Sequence, residues 1–125
     1  MRWRRLYAVC ECIRKFNEIV MTSRDLTKVR HHLFFCNGDH CTVLGAAEST
    51  KAIRKVIKER GLDDEVHTTK TLCNGRCLDG PIVIAEPGYI WYKQMTQEKA
   101  QNFVQLHIIE KSIITDCLLH LGLSE

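Results

Sequence analysis

The chain has 125 residues, of which 45% are hydrophobic and 26% charged, a size and balance that suit one globular domain with a modest core. The formal net charge of +3 is unevenly spread: residues 1–30 hold eight Lys/Arg against three Asp/Glu, and residues 31–125 hold ten against twelve. The body is thus mildly acidic and lacks the basic face of a nucleic-acid reader, and no run approaches the roughly 18–20 apolar residues of a membrane span.

Residues 3–20 are expected to form an amphipathic helix, with Leu6, Val9, Ile13, Phe16 and Val20 near one stripe. The basic start Met1-Arg2-Trp3-Arg4-Arg5 resembles a signal peptide. However, the apolar stretch after it is cut short by Glu11, and no small-residue cleavage site follows. Residues 1–30 therefore read as an N-terminal helical extension or leader. Cys10 and Cys12 lie two apart and would point in different directions on a helix, so they read as ordinary small residues rather than chelators.

A short apolar run over residues 31–35 predicts a first strand that ends at Cys36. Residues 46–60 predict a helix with Ala46, Ile53, Val56 and Ile57 on its buried side and Lys51, Arg54, Lys55 and Lys58 on its wet side, closed by Gly61. Residues 66–72 alternate as a second strand and end at Cys73. Residues 81–85 and 89–93 predict a hairpin around a type II turn at Glu86-Pro87-Gly88-Tyr89. Of Trp91 and Tyr92, one is expected in the core. Thr96 is placed as the cap of a last helix, with Ala100, Phe103, Val104 and His107 on its inner stripe. Residues 108–125 are too apolar for a surface tail. They are expected to continue the helix or to pack on the body or a second subunit, with Cys117 as a buried small hydrophobe.

Strand, helix, strand, hairpin, helix is an α/β order. The first two strands, joined by a helix, should be parallel with a right-handed crossover, and the hairpin adds antiparallel strands. Four strands in a mixed sheet and two main helices result. Both parallel strands then end at the same edge, where each is followed by a cysteine loop.

Those loops carry the chemistry. Cys36-Asn37-Gly38-Asp39-His40-Cys41 and Cys73-Asn74-Gly75-Arg76-Cys77 are near copies, written C-x4-C, 31 residues, C-x3-C. A [2Fe–2S] rhomb takes four thiolates, two on each iron, and a loop returning a second cysteine after three or four residues can serve one iron. Its negative charge calls for backbone N–H nests. Gly38 and Gly75 are expected to supply positive φ, Asn37 and Asn74 to cap the turns, and Arg76 to add a fixed positive charge.

Zinc sites usually use C-x2-C pairs, which neither loop has. A redox dithiol would need C-x-x-C, and disulfides would need an oxidising compartment. A cytoplasmic location, with reduced thiols free to take metal, is expected. His40, beside Cys41, is expected to be a hydrogen bonder outside the ligand set or solvent-exposed, and Asp39 to be solvated. His31-His32 reads as a strand edge. No phosphate loop, Ser/His/Asp set or paired carboxylates stands out, so a carrier is expected rather than an enzyme.

On these loops, on Gly80-Pro81-Ile82-Val83-Ile84 and on Tyr89-Ile90-Trp91-Tyr92, residues 31–107 resemble the thioredoxin-like [2Fe–2S] ferredoxins. They are also similar to the small iron–sulfur subunit of NADH dehydrogenase. The resemblance implies a thioredoxin-like mixed four-stranded sheet with two main helices and terminal helical extensions. It implies Cys36, Cys41, Cys73 and Cys77 as cluster ligands, one-electron transfer to a partner redox protein, and often a homodimer. Compact members also serve tetrapyrrole and cobalamin pathways, a context by analogy only. An iron–sulfur sensor or delivery protein and a zinc-stabilised interaction module are the alternative readings.

Overall fold

The computed structural model describes residues 23–122, without the side chain of Cys77. The expected helix over 3–20, with Cys10 and Cys12, lies outside the described residues. The chain enters through a tight turn at Leu26–Lys28, where Asp25 accepts hydrogen bonds from the Thr27 N–H and hydroxyl. Arg24 ties this entry to the body by donating to the Asp63 carbonyl.

Strand β1 is His31–Cys36, followed by a short helix α1, Asp39–Val43, and the long helix α2, Ala46–Glu59. Strand β2 is Val66–Thr71. Strands β3, Val83–Glu86, and β4, Ile90–Tyr92, form the hairpin. A tight turn at Gln97–Lys99 leads into α3, Ala100–Phe103, which runs on as a π-helical turn over Val104–Ile109. Strand β5, Leu118–His120, closes the order β2-β1-β3-β4-β5. β1 and β2 are parallel, and every other neighbouring pair is antiparallel. No described helix is long and apolar enough to cross a membrane.

The sheet has five strands where four were expected. The fifth is formed by the apolar tail, which was expected to continue the helix or to pack on the body or a second subunit; it packs on the body, as a strand rather than a helix. The helical run stops at Ile109, where Lys111 takes φ 56, and the chain doubles back to pair with β4. Ile108 and Cys117 are buried and Ile114 and Leu118 pack half-buried against the core, while Ile109, Ile113 and Leu121 stay exposed.

Helix α2 forms where the sequence places it because Ile53, Val56 and Ile57 recur on one face and are all buried. It ends in a Schellman pattern: Gly61 at φ 69 donates to Lys58, and Leu62 donates to Ile57 at 3.0 Å. Leu33 and Phe35 of β1 face this helix, together with Val83, Ala85 and Tyr92. The hairpin turn carries two consecutive residues at positive φ, Gly88 (110) and Tyr89 (52), rather than the single one of a type II turn, and the Tyr89 N–H donates to Glu86 Oε1. Thr96 stands at the cap position, but its hydroxyl serves the Glu98 carboxylate instead of the helix backbone.

Tyr92 is the core member of the aromatic pair, and Trp91 is half-buried. The Tyr92 hydroxyl meets His107 Nδ1 at 2.7 Å and accepts from the Ile114 N–H at 3.3 Å, which pins the returning tail. His107 also stacks on Phe103, with ring centroids 5.4 Å apart. Burial, with a lesser repulsion from His31, lowers the His107 pKa to about 4. In the unfolded chain it titrates near its ordinary 6.5. Below that pH the unfolded state takes up a proton that the folded state refuses, so stability falls as pH drops from 6.5 towards 4 and is fully present above 6.5. The expected slope is up to about 1.4 kcal/mol per pH unit, read from denaturant midpoints between pH 7 and 4.5. It should diminish in His107→Gln, and an unchanged slope in that variant would remove His107 as its cause.

Candidate metal centre

The parallel pairing aligns Cys36 with Thr71, two residues before Cys73. Both cysteine loops therefore leave the same end of the sheet. The ladder continues one step into them, with the Asn37 N–H donating to the Thr71 carbonyl at 2.8 Å. The Cys36 N–H donates to Ile82, and its thiol reaches the Leu72 carbonyl at 3.6 Å.

The first loop is a helix rather than an irregular turn. Gly38 caps α1, Asp39 occupies its first turn, and Cys41 is buried within it. This element is five residues long, too short for a periodic signal, and the legible cues were Gly38-Asp39 at its start. Gly38 takes φ −66, an ordinary extended conformation, so its expected role as a positive-φ residue is corrected. Its lack of a side chain matters for proximity: a Cβ there would stand 2.9 Å from the Cys73 Cα and 3.0 Å from its N. Gly75 does take positive φ, at 85. Gly80 gives a second close approach, since a Cβ would lie 2.7 Å from Cys41 Sγ.

The two Cys-Asn-Gly copies work alike. Asn37 Nδ2 donates to the Phe35 carbonyl and to Thr50 Oγ1, while Asn74 Nδ2 donates to the Leu72 carbonyl and to Thr71 Oγ1. Each amide thus locks a chain reversal directly after its strand. Asn74 also reaches across to the first loop. Burial pushes the Cys36 thiol up, but hydrogen bonds from the Gly38 N–H, the Asn74 side chain, Cys41 and the Asn74 N–H hold it below its ordinary value. The Gly75 N–H points at Cys73 Sγ at 3.3 Å.

Cys36 and Cys41 are buried neighbours, and Cys73 is exposed with its backbone against Gly38. Cys77 opens the tight turn Cys77–Asp79, which packs on α1. Among the described side chains, no three His, Cys, Asp or Glu groups stand together in metal-binding geometry. The donor chemistry nonetheless fits a thiolate-bound cluster: N–H groups from both loops aim at sulfur, as an anionic iron–sulfur site requires. The positive charge of Arg76 is taken by Asp79, through contacts of 2.7 and 2.9 Å. His40 and Asp39 are exposed. His31 and His32 are half-buried at a strand start, with His32 Nε2 on Thr69 Oγ1. The floor beneath the loops is Cys36, Cys41, Ala46, Ile82 and Ile84, flanked by Phe34 and Trp91.

Comparison with known proteins gives one consistent match. The family model for thioredoxin-like [2Fe-2S] ferredoxin matches residues 21–107. A relative in Priestia megaterium, named "Putative 2Fe-2S ferredoxin", is 40% identical over 100 residues, covering 80% of this chain and 78% of that protein. The 2Fe-2S ferredoxin of Clostridium pasteurianum is 29% identical over 93 residues, covering 68% and 91%. The structure of a thioredoxin-like [2Fe-2S] ferredoxin from Aquifex aeolicus superposes with a TM-score of 0.70 at 23% identity, covering 77% of this chain and 96% of that one, which shows the fold.

The glycine geometry ranks two variants. Gly38→Ala forces a methyl into backbone and should cost about 1–3 kcal/mol and most of the bound iron. Gly75→Ala meets nothing within 4 Å and carries only the strain of positive φ, about 1 kcal/mol. Iron per chain should therefore fall further in Gly38→Ala, and the reverse order would contradict the close approach of the loops.

Proposed function

The chain belongs to the thioredoxin-like [2Fe-2S] ferredoxins, and from that membership we propose that it carries single electrons to a partner redox enzyme, with Cys36, Cys41, Cys73 and Cys77 holding the cluster. When bound, the cluster supplies a centre that takes up and releases one electron without bond rearrangement.

The observation that best supports this reading is the convergence of N–H donors from both loops on cysteine sulfur. The Gly38 and Asn74 groups reach Cys36, and the Gly75 N–H reaches Cys73. Such donors stabilise thiolate over thiol and favour the more negative state of an anionic group. The Cys36 and Cys41 side of the site is dry and lined by Ile82 and Ile84. Arg76, bound to Asp79, braces the second loop instead of adding a free charge.

An open cavity of about 320 Å³ lies beside the second loop, lined by Asn74, Arg76, Tyr89, Trp91, Leu119 and His120; the reading proposed is of a carrier rather than an enzyme. The proposal places it in the cytoplasm, where thiols stay reduced. A homodimer is part of the same proposal, and sedimentation should then give twice the chain mass. A setting in tetrapyrrole or cobalamin synthesis is carried by analogy alone.

Anaerobic purification with visible spectra and iron, sulfide and zinc assays tests the reading. A red-brown protein with about two irons and two sulfides per chain is expected. A colourless protein with one zinc would replace the carrier with a structural zinc module. Changing any of Cys36, Cys41, Cys73 or Cys77 to Ala should abolish or destabilise the chromophore, while Cys117→Ala, buried away from the loops, should keep it. Full iron and sulfide in Cys77→Ala would break the ligand assignment.

A further inference from the structure

The cavity beside the second cysteine loop has a volume of about 320 Å³, within the size range of small-molecule sites. Three separate segments build it. The second loop gives Asn74 and Arg76, the hairpin gives Tyr89 and Trp91, and β5 gives Leu119 and His120. Cys36, Cys41 and Cys73 do not line it, so it is a neighbour of the candidate metal centre and not the centre itself.

Two local departures from regular structure shape its walls. β5 pairs His120 with Trp91 but Leu118 with Tyr92, so one step along β4 matches two along β5. In a regular strand, Leu119 and His120 would point to opposite faces. The bulge lets both line the cavity. At the hairpin turn, Tyr89 takes φ 52, a strained conformation for a bulky side chain. Its ring stands edge-on to Trp91, with centroids 5.8 Å apart, and to His120, with centroids 5.7 Å apart.

The polar groups of the cavity are rich in donors. The Trp91 indole N–H is buried and has no hydrogen-bond partner among the described residues. An unpaired buried donor is costly, and a native one calls for an explanation. Arg76 is also donor-only. Asp79 takes its Nε and Nη2, which holds the guanidinium in place and offsets its charge. Asn74 spends its amide N–H groups on Thr71 and Leu72. Among the described residues, no carboxylate lines the cavity.

We propose that this cavity binds a small molecule with a flat conjugated ring and ring carbonyl oxygens, of the chemistry shared by quinones and isoalloxazines. Three aromatic side chains offer faces and edges to such a ring. One of its carbonyls accepts from the Trp91 indole, which has no other acceptor. A carbonyl suits the site better than a carboxylate or phosphate, because Arg76 is already paired with Asp79 and a thiolate-bound cluster next to it is anionic. The proposal goes beyond the carrier reading and does not rest on it.

Isothermal titration calorimetry on the oxidised holoprotein would compare anthraquinone-2-sulfonate with anthracene-2-sulfonate. The two share a fused-ring frame and a charge and differ in the ring carbonyls. The quinone should bind about tenfold more tightly. Trp91→Phe keeps an aromatic ring and removes the donor. It should bring the quinone down to the affinity of anthracene-2-sulfonate, which itself stays unchanged. Tyr89→Leu should weaken both about fivefold. Riboflavin, titrated in the same way, separates the two ring classes: binding tighter than that of the quinone assigns the site to isoalloxazines, and weaker binding assigns it to quinones. If neither carbonyl compound binds more tightly than anthracene-2-sulfonate, or if the preference survives in Trp91→Phe, the proposal is overturned. Should Trp91→Phe fail to fold, the wild-type comparison alone decides. A colourless protein would overturn the carrier reading, and the same titrations on it would still decide the ligand site.

Discussion

The parallel register of β1 on β2 is the constraint on which the site depends. It sets Cys36 opposite Thr71 and so releases two loops, 31 residues apart in sequence, from neighbouring strands at one edge. That register is held by the core rather than by the loops. Leu33 and Phe35 point to α2 and α3, while Phe34 and Cys36 point to the other face. A slip of one residue would exchange the two sets and expose the largest side chains of the strand. The buried face of α2, with Ile53, Val56 and Ile57, fixes the strand order from above. Hydrophobic packing at the centre of the molecule thus determines sulfur positions at its end.

Electrostatics completes what packing begins. Burial alone would favour a neutral Cys36 thiol, the wrong species for a metal ligand. Three N–H donors and the neighbouring Cys41 reverse that preference. Two of the donors come from Asn74, a residue of the other loop, so the meeting of the loops adds to the preference for the charged form that Gly38 and Cys41 begin. Gly38 permits that meeting by leaving room for the Cys73 backbone. Neutralisation by backbone and amide dipoles also frees the site from needing a nearby cation, which is consistent with Arg76 being committed to Asp79.

Much of this was legible in the sequence. Helix α2, its Gly61 closure, the parallel strand pair and the β3–β4 hairpin follow from local periodicity and turn residues, and the structure places each within a few residues of the reading. The duplicated Cys-Asn-Gly loops and their common edge were legible for the same reason. Three features were not. Helix α1 is too short to show a period. Strand β5 exists because β4 offers an edge and the core offers a place for Cys117, both tertiary facts. The role of Gly38 was misassigned because a glycine after Cys-Asn suggests positive φ, whereas the structure needs its missing Cβ.

The distribution of surface character follows from the same architecture. An apolar strand end beside a cysteine looks like core in sequence, yet Leu72 and Leu78 emerge into solvent. Strand β2 ends at Thr71, and the turn at Cys77–Asp79 leaves no layer above them. Polar alternatives at these positions would be better hydrated and would leave the sheet unaltered, because neither leucine contributes to either core cluster. Further charged side chains lie on the outer face of α2, where Arg54 also bonds Thr68, and around Arg24 and Asp63 at the opposite end. Lys70, exposed near the end of β2, and Lys93, directly after β4, stand at the same end as the cysteine loops, so that end combines exposed aliphatic and cationic side chains.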